Sequence, residues 1–267
     1  MSNNKINFLL QFADNALIIG HRLSEWCGHG PVLEQDIALT NIALDHLGQA
    51  RNFYQYAASL INELPQEARN TLFTSAAFAG KENIFTEDDL AYLRDAWDFK
   101  NVLLTERPNV DWAYTIARSF FYDHFNYQIY TLLSLQSTDD NIKAVAQKSL
   151  KEVTYHKRWS SEWVIRLGDG TAESHDRIQN AINDLWSFTG ELFELISLED
   201  DLDLDMKQMK NNWQTEISAI LKEATLKIPS LEEWMQSGGK NGVHSEHLGF
   251  ILAEMQYMQR AYPGMEW

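Results

Sequence analysis

An all-α fold is predicted by three features of the 267-residue sequence. Apolar residues recur at helical spacing along most of its length, and alternating runs of β-branched residues are few. The five prolines, at 31, 65, 108, 229 and 263, all fall between those periodic segments and act as helix punctuation. Hydrophobic residues make up 45 % and aromatic residues 12 %, enough to fill a helical core and to argue against disorder over most of the chain.

The elements follow in order. A first helix is expected from about Ile6 to Trp26, with Ile6, Leu10, Ala13 and Leu17 on one stripe beside Asp14 and His21. The turn Gly28-His29-Gly30-Pro31 ends it, and a second helix covers about 33–61. Residues 62–108 form a long mixed connection, with short helices near Gln66–Phe73 and Glu87–Leu93. A third helix follows Pro108 and runs to about Gln136. Ser137-Thr138-Asp139-Asp140 supplies the N-cap of a fourth, about 140–167, which Gly168-Asp169-Gly170 stops. Further helices are expected at about 172–197, 206–226 and 245–260.

The connections matter more than the boundaries. Helices one and two are joined by a short turn, as are three and four, and one long segment separates the pairs. Two antiparallel hairpins joined by a long crossover make the ferritin-like four-helix plan, here with extra C-terminal helices. One domain over 1–267 is expected, its core bundle at about 5–167 and its additional helices at about 172–262. No internal repeat and no linker rich in Pro, Gly or Ser argues for a second.

Charge narrows the partners. Lys and Arg number 22 against 38 Asp and Glu, a net −16, which repels phosphate backbones and anionic lipid. Nucleic acid and membrane are therefore poor partners, and no stretch approaches the roughly 18–20 apolar residues needed to cross a bilayer. The single cysteine, Cys27, excludes an intrachain disulfide and a cysteine-based zinc cluster. The N-terminus lacks a secretory pattern, so a cytoplasmic location is expected.

A carboxylate-bridged di-iron centre in this plan takes Glu from helices one and three and Glu-x-x-His from helices two and four. The sequence offers Asp14 on the first helix, Asp45-His46-Leu47-Gly48 on the second, Asp123 on the third and Glu152-Val153-Thr154-Tyr155 on the fourth. In that register the imidazoles are replaced by Gly48 and Tyr155. Three of the four carboxylates are the shorter Asp. A metal-site scaffold that holds no metal is the expectation. Asp14, Asp45, Asp123, Glu152 and His156 would form a salt-bridge and hydrogen-bond cluster with nearby cations from His21, His46, His124, Arg51 and Arg118, because a lone buried carboxylate is very unfavourable.

Other motifs carry less. Gly238-Gly239-Lys240-Asn241-Gly242 lacks the order of a phosphate-binding loop and follows no strand. His244-Ser245-Glu246-His247 lacks zinc-helix spacing; Ser245 reads as a helix start, with the two His bonding loop carbonyls. The acidic run 199–205 reads as a solvated helix connection. Cys27 has no compelling catalytic His arrangement, and no Gly-x-Ser-x-Gly serine context occurs.

Several blocks, from the first helix to the last, carry a family resemblance. They are Leu23 to Pro31, Asp36 to Leu39, Leu47 to Asn52, Leu103 to Asn109, Lys151 to His156, Gly238 to Gly249, and Leu252 to Arg260. Together they resemble the C-subunit family of multicomponent phenylacetyl-CoA epoxidases. The resemblance implies a non-catalytic, ferritin-like structural subunit with no cofactor of its own. It implies a catalytic A subunit as partner, bearing the iron and binding phenylacetyl-CoA. A reductase with flavin and iron–sulfur groups would bring electrons from NADPH. The complex would epoxidise the aromatic ring in aerobic phenylacetate catabolism.

Two other readings stay open at this level. One is an active di-iron oxidase with an unusual ligand set, using His156 or His124. The other is a helical interaction protein outside oxygenase chemistry. The aromatic content is also compatible with a homodimer of the isolated chain.

Overall fold

In the computed structural model the chain is described over residues 3–78, 84–194, 205–230, 234–263 and 265. The first helix, α1 (Asn3–Ser24), is sequestered on almost every side from Phe8 to Ile19. A helix covered all round its circumference lies inside a bundle, and α1 occupies that place with Gln11, Asp14 and Asn15 among its buried residues. α2 (Leu33–Asn62) follows a turn in which Gly28 adopts a positive φ. Glu34 and Asp36 in its first turn complement the helix dipole.

The second long pair is α6 (Trp112–Gln136) and α7 (Asp140–Gly168). Asp111 caps α6 through the Tyr114 N–H at 2.9 Å, and Asp139 caps α7 through the N–H groups of Asn141 and Ile142. α1 packs along α2, α6 along α7, and α2 meets α7 across the centre. The stacked rings of Phe53 and Tyr130, with Phe12 beside them, join the two pairs.

Aromatic and polar contacts identify the two ends of the bundle. At one end Trp112 meets Trp26, Trp159 and Trp163 edge-on, while Gln35 accepts from the indole N–H of Trp159 and Trp163. The end of α1 and the starts of α2 and α6 thus lie together. At the other end Asp139 pairs with Lys5 and accepts from Tyr56 at 2.6 Å. The described residues between 63 and 111 therefore lead back along the bundle. They carry α3 (Gln66–Arg69), α4 (Glu87–Tyr92) and α5 (Leu103–Glu106), with 3-10 turns at Ala76–Phe78 and Ala96–Asp98.

α8 (Ala172–Trp186) and α9 (Met206–Glu223) pack against α6 and α7. α8 is shorter than the 172–197 expected, giving way to a 3-10 turn at Gly190–Phe193. A Cβ at Gly190 would overlap Met235, so that later segment packs directly on the backbone of this turn. The acidic run expected at 199–205 lies outside the described residues except for Asp205, which caps α9 through Gln208 N at 2.8 Å. The last expected helix is two, α10 (Glu246–Met255) and α11 (Tyr257–Ala261). They part at Gln256, whose buried amide donates to the carbonyls of Ala91 and Arg94. Ser245 begins α10 as expected, but its hydroxyl makes no cap bond; its N–H donates to Glu106 instead. His244 meets the Phe99 carbonyl at 3.0 Å. Among the described residues there is no strand, and no helix is long and apolar enough to cross a membrane.

Candidate functional site

The inward stripe of α2 runs Ile42, His46, Gln49 and Phe53, a three-four spacing that places His46 at the centre of the bundle. Gly48 lies on the flank, where an added Cβ would meet nothing within 4 Å. On α7 the inward stripe is Val153, His156 and Ser160, and Tyr155 is 40 % exposed. Gly48 and Tyr155 therefore do not stand at the interior positions the sequence assigned them. The interior places fall one residue on, to His46 and Gln49 on α2 and His156 on α7, so two imidazoles face the centre.

Asp123 enters from α6. Donor atoms of His46, Asp123 and His156 all lie within 4.8 Å of one another, and all three side chains are buried. The two imidazole rings are 4.9 Å apart between centroids, with Tyr122 flanking His46 at 5.9 Å. Nε2 of His156 meets Oδ2 of Asp45 at 3.0 Å, and Asp45 reaches the rim with its side chain 37 % exposed. Both nitrogens of His46, both oxygens of Asp123 and Nδ1 of His156 lack a well-formed hydrogen bond: the Gln49 amide near His46 is given to Glu152, and the Ser160 hydroxyl near Asp123 to the His156 carbonyl. Burial pushes the Asp123 carboxyl up to about 6, against the pull of the nearby His156 ring and Ser160 hydroxyl. Burial, reinforced by His156, drives His46 well below the ordinary imidazole value, so the ring is neutral.

The remaining acids are spoken for. Asp14 is buried and bound by the Arg94 guanidinium, by the Tyr54 hydroxyl at 2.5 Å and by Lys100 N–H at 2.7 Å. Burial works against the Arg94 charge, yet Asp14 beside it outweighs that and raises its pKa. Burial, helped by Asp14, raises the Tyr54 phenol well above its usual value. Glu152 accepts from the Gln49 amide at 2.9 Å, and Gln49 in turn takes Tyr130 O–H at 3.3 Å. His124 faces away from the cluster, between Glu216 at 3.1 Å and Ser161 at 2.9 Å, and so fastens α9 to α6 and α7. Arg51 pairs with Glu87, and Arg118 donates to the Arg107 carbonyl and Asn109.

Arg94 is the site residue that sequence reasoning missed. It sits in the crossover, 80 residues from Asp14, where an arginine reads as solvated surface. Gln49 was also missed, because an amide is not a metal ligand by type. No local signal distinguishes either from its neighbours.

A binuclear carboxylate centre requires four carboxylates and two imidazoles. Of the four acids assigned to it, only Asp123 brings free oxygens to the centre. The residues present do not fit two cations.

The whole chain, residues 1–267, matches the family described as phenylacetic acid catabolic protein. It is 43 % identical over 270 residues to the C subunit of 1,2-phenylacetyl-CoA epoxidase from Escherichia coli strain K12. That similarity covers 99 % of this chain and 100 % of the relative. Identity at that level along the full length, on an all-helical fold, has one consequence for classification: the chain belongs to the PaaA_PaaC family of phenylacetic acid catabolic proteins.

Proposed function

We propose that this chain is a non-catalytic structural subunit of a cytoplasmic phenylacetyl-CoA epoxidase complex, acting in phenylacetate catabolism. The observation that carries the reading is the donor count: one free carboxylate at the bundle centre cannot hold the two irons an oxygenase of this type requires. Oxygen activation then belongs to a related catalytic partner with an intact ligand set, and flavin, iron–sulfur and NADPH chemistry to a reductase component. The similarity to the C subunit of an epoxidase along the whole chain supports the same assignment.

The chain's own part is mechanical. Two related bundles can pack through equivalent faces in a pseudo-twofold pair, and a rigid neighbour fixes the spacing of the catalytic ligand helices. Uncovered apolar surface supports a life in an assembly: Leu33, Ile37 and Leu44 lie exposed along one face of α2, and Phe250 and Tyr257 on α10 and α11. A working binuclear oxidase is disfavoured, since His124, one of its two candidate replacement ligands, is engaged with Glu216 and Ser161.

Coexpression tests the proposal. The catalytic partner should be soluble, iron-loaded and active with this chain, and should lose at least one of those properties without it. A partner equally soluble, iron-loaded and active alone would refute the reading.

A further inference from the structure

We propose that His46, Asp123 and His156 bind one first-row divalent cation of the zinc or iron class, which ties α2, α6 and α7 together at the centre of the bundle. One donor atom from each of the three buried side chains converges there, and both nitrogens of His46, both oxygens of Asp123 and Nδ1 of His156 lack a well-formed hydrogen bond. An unsatisfied buried polar group costs about 1–3 kcal/mol, and a charged one more. Native interiors seldom leave several such atoms facing one another. A proton shared between Asp123 and one imidazole would satisfy only two of the five.

The spacing suits a metal. Donor atoms no more than 4.8 Å apart leave a point about 2.8 Å or less from each. Zinc bonds of about 2.0–2.2 Å to imidazole and carboxylate are then reached by side-chain shifts of under about 1 Å. The donor types select the ion: two imidazoles with one carboxylate favour zinc or ferrous iron over calcium or magnesium, which take oxygen ligands. Three protein donors also leave a position open for water, as in three-ligand zinc sites.

An outer ligand is in place as well. In the tautomer that donates Nε2–H of His156 to Asp45, the buried Nδ1 carries the free lone pair, which gives the carboxylate–imidazole–metal arrangement common in protein metal sites. Charge closes too: Asp123 and Asp45 together offset a divalent cation. Asp45 is thus a positioning residue here, and not the direct ligand its place in the sequence suggested.

This inference stands apart from the assembly reading and is tested on the full-length chain alone. The chelator-stripped protein is titrated with Co2+, followed by visible absorption, then with Zn2+ in competition, and its metal content is measured by mass spectrometry. One equivalent should bind with the d–d spectrum of a nitrogen- and oxygen-ligated ion, and Zn2+ should raise Tm. His46→Leu should weaken binding about 100-fold or more and abolish the Tm response, and its metal-free form should be at least as stable as the parent. Asp45→Asn should weaken binding about 10- to 100-fold with the stoichiometry kept. Should His46→Leu not fold, His46→Gln and Asp123→Asn serve in its place. Absence of stoichiometric Co2+ or Zn2+ at micromolar protein, or unchanged binding in the His46 and Asp123 variants, overturns the proposal. Capture of the catalytic partner is scored separately, so either conclusion can fail while the other survives.

Discussion

Arg94 and Asp14, 80 residues apart in the chain, form an ion pair in which neither side chain reaches solvent. The guanidinium also lies over the Phe99 ring at 4.2 Å and donates to the carbonyls of Leu90 and Asp98. This one side chain therefore fastens the crossover to the inner helix. Asp14→Ala or Arg94→Met alone strands the opposite charge in the core and should destabilise the chain by about 3–5 kcal/mol. An apolar double replacement should cost less than the two single losses added together. Urea unfolding of the four proteins of the cycle measures the coupling.

Two glycines in long helices should respond in opposite directions. Gly48 lies in α2 with open space where a Cβ would go, so Gly48→Ala should raise stability by about 0.8–1 kcal/mol. At Gly168 an added Cβ would overlap the Ala224 carbonyl and crowd its Cβ at 2.9 Å. Gly168→Ala should cost about 1–3 kcal/mol, because α7 must move off the end of α9. Thermal and urea unfolding of the isolated chain check both. If Gly48→Ala stabilises the chain yet weakens capture of the catalytic partner, the partner's backbone rests on that flank.

Acid should loosen α9. The hydrogen bond from His124, opposed by burial and aided by Lys157 at 2.7 Å, brings Glu216 down to about 2. A carboxyl depressed in the folded state stabilises above its ordinary value near 4.5 and loses that contribution as pH falls toward 2. With its side chain 38 % exposed, solvent screening reduces the effect to about 1 kcal/mol. Glu216→Gln should flatten the stability profile between pH 4.5 and 2.5 and leave neutral pH less stable.

Alkali should do the reverse at Lys240. Burial lowers its ammonium to about 8, partly offset by Glu191 and Glu194, while its Nζ donates to the carbonyls of Leu192 and Glu194. Above pH 8 the folded chain sheds a proton that the unfolded chain keeps until about 10.5. Stability should therefore rise across that window by up to about 3 kcal/mol. Denaturant unfolding at pH 7.5 and 9.5 should show the rise in the parent chain and its absence in Lys240→Met.

Helix ends were legible in the sequence because capping is local. Asp139 lies within three residues of the N–H groups it satisfies, and Gly168 marks the end of α7. Helix rotation was not. One residue turns a helix by about 100°, and α2 carries apolar residues on two faces. Leu33, Ile37 and Leu44 are exposed, and the Glu-x-x-His register placed Asp45 and Gly48 inward where His46 and Gln49, one residue on, face the core. On α7 the same one-residue displacement put Tyr155 where His156 stands. The break at Gln256 was hidden for another reason: it answers to carbonyls about 162–165 residues earlier in the chain.

The inner position of α1 has a consequence for synthesis. Asp14 and Asn15 take the N–H groups of Lys100 and Val102, so the first helix to leave the ribosome cannot satisfy its own polar groups until the crossover arrives. Contacts so distant in sequence slow folding and leave apolar surface open meanwhile. A nascent chain stopped short of residue 94 should stay protease-sensitive throughout. One that extends beyond α7 should protect its N-terminal segment first.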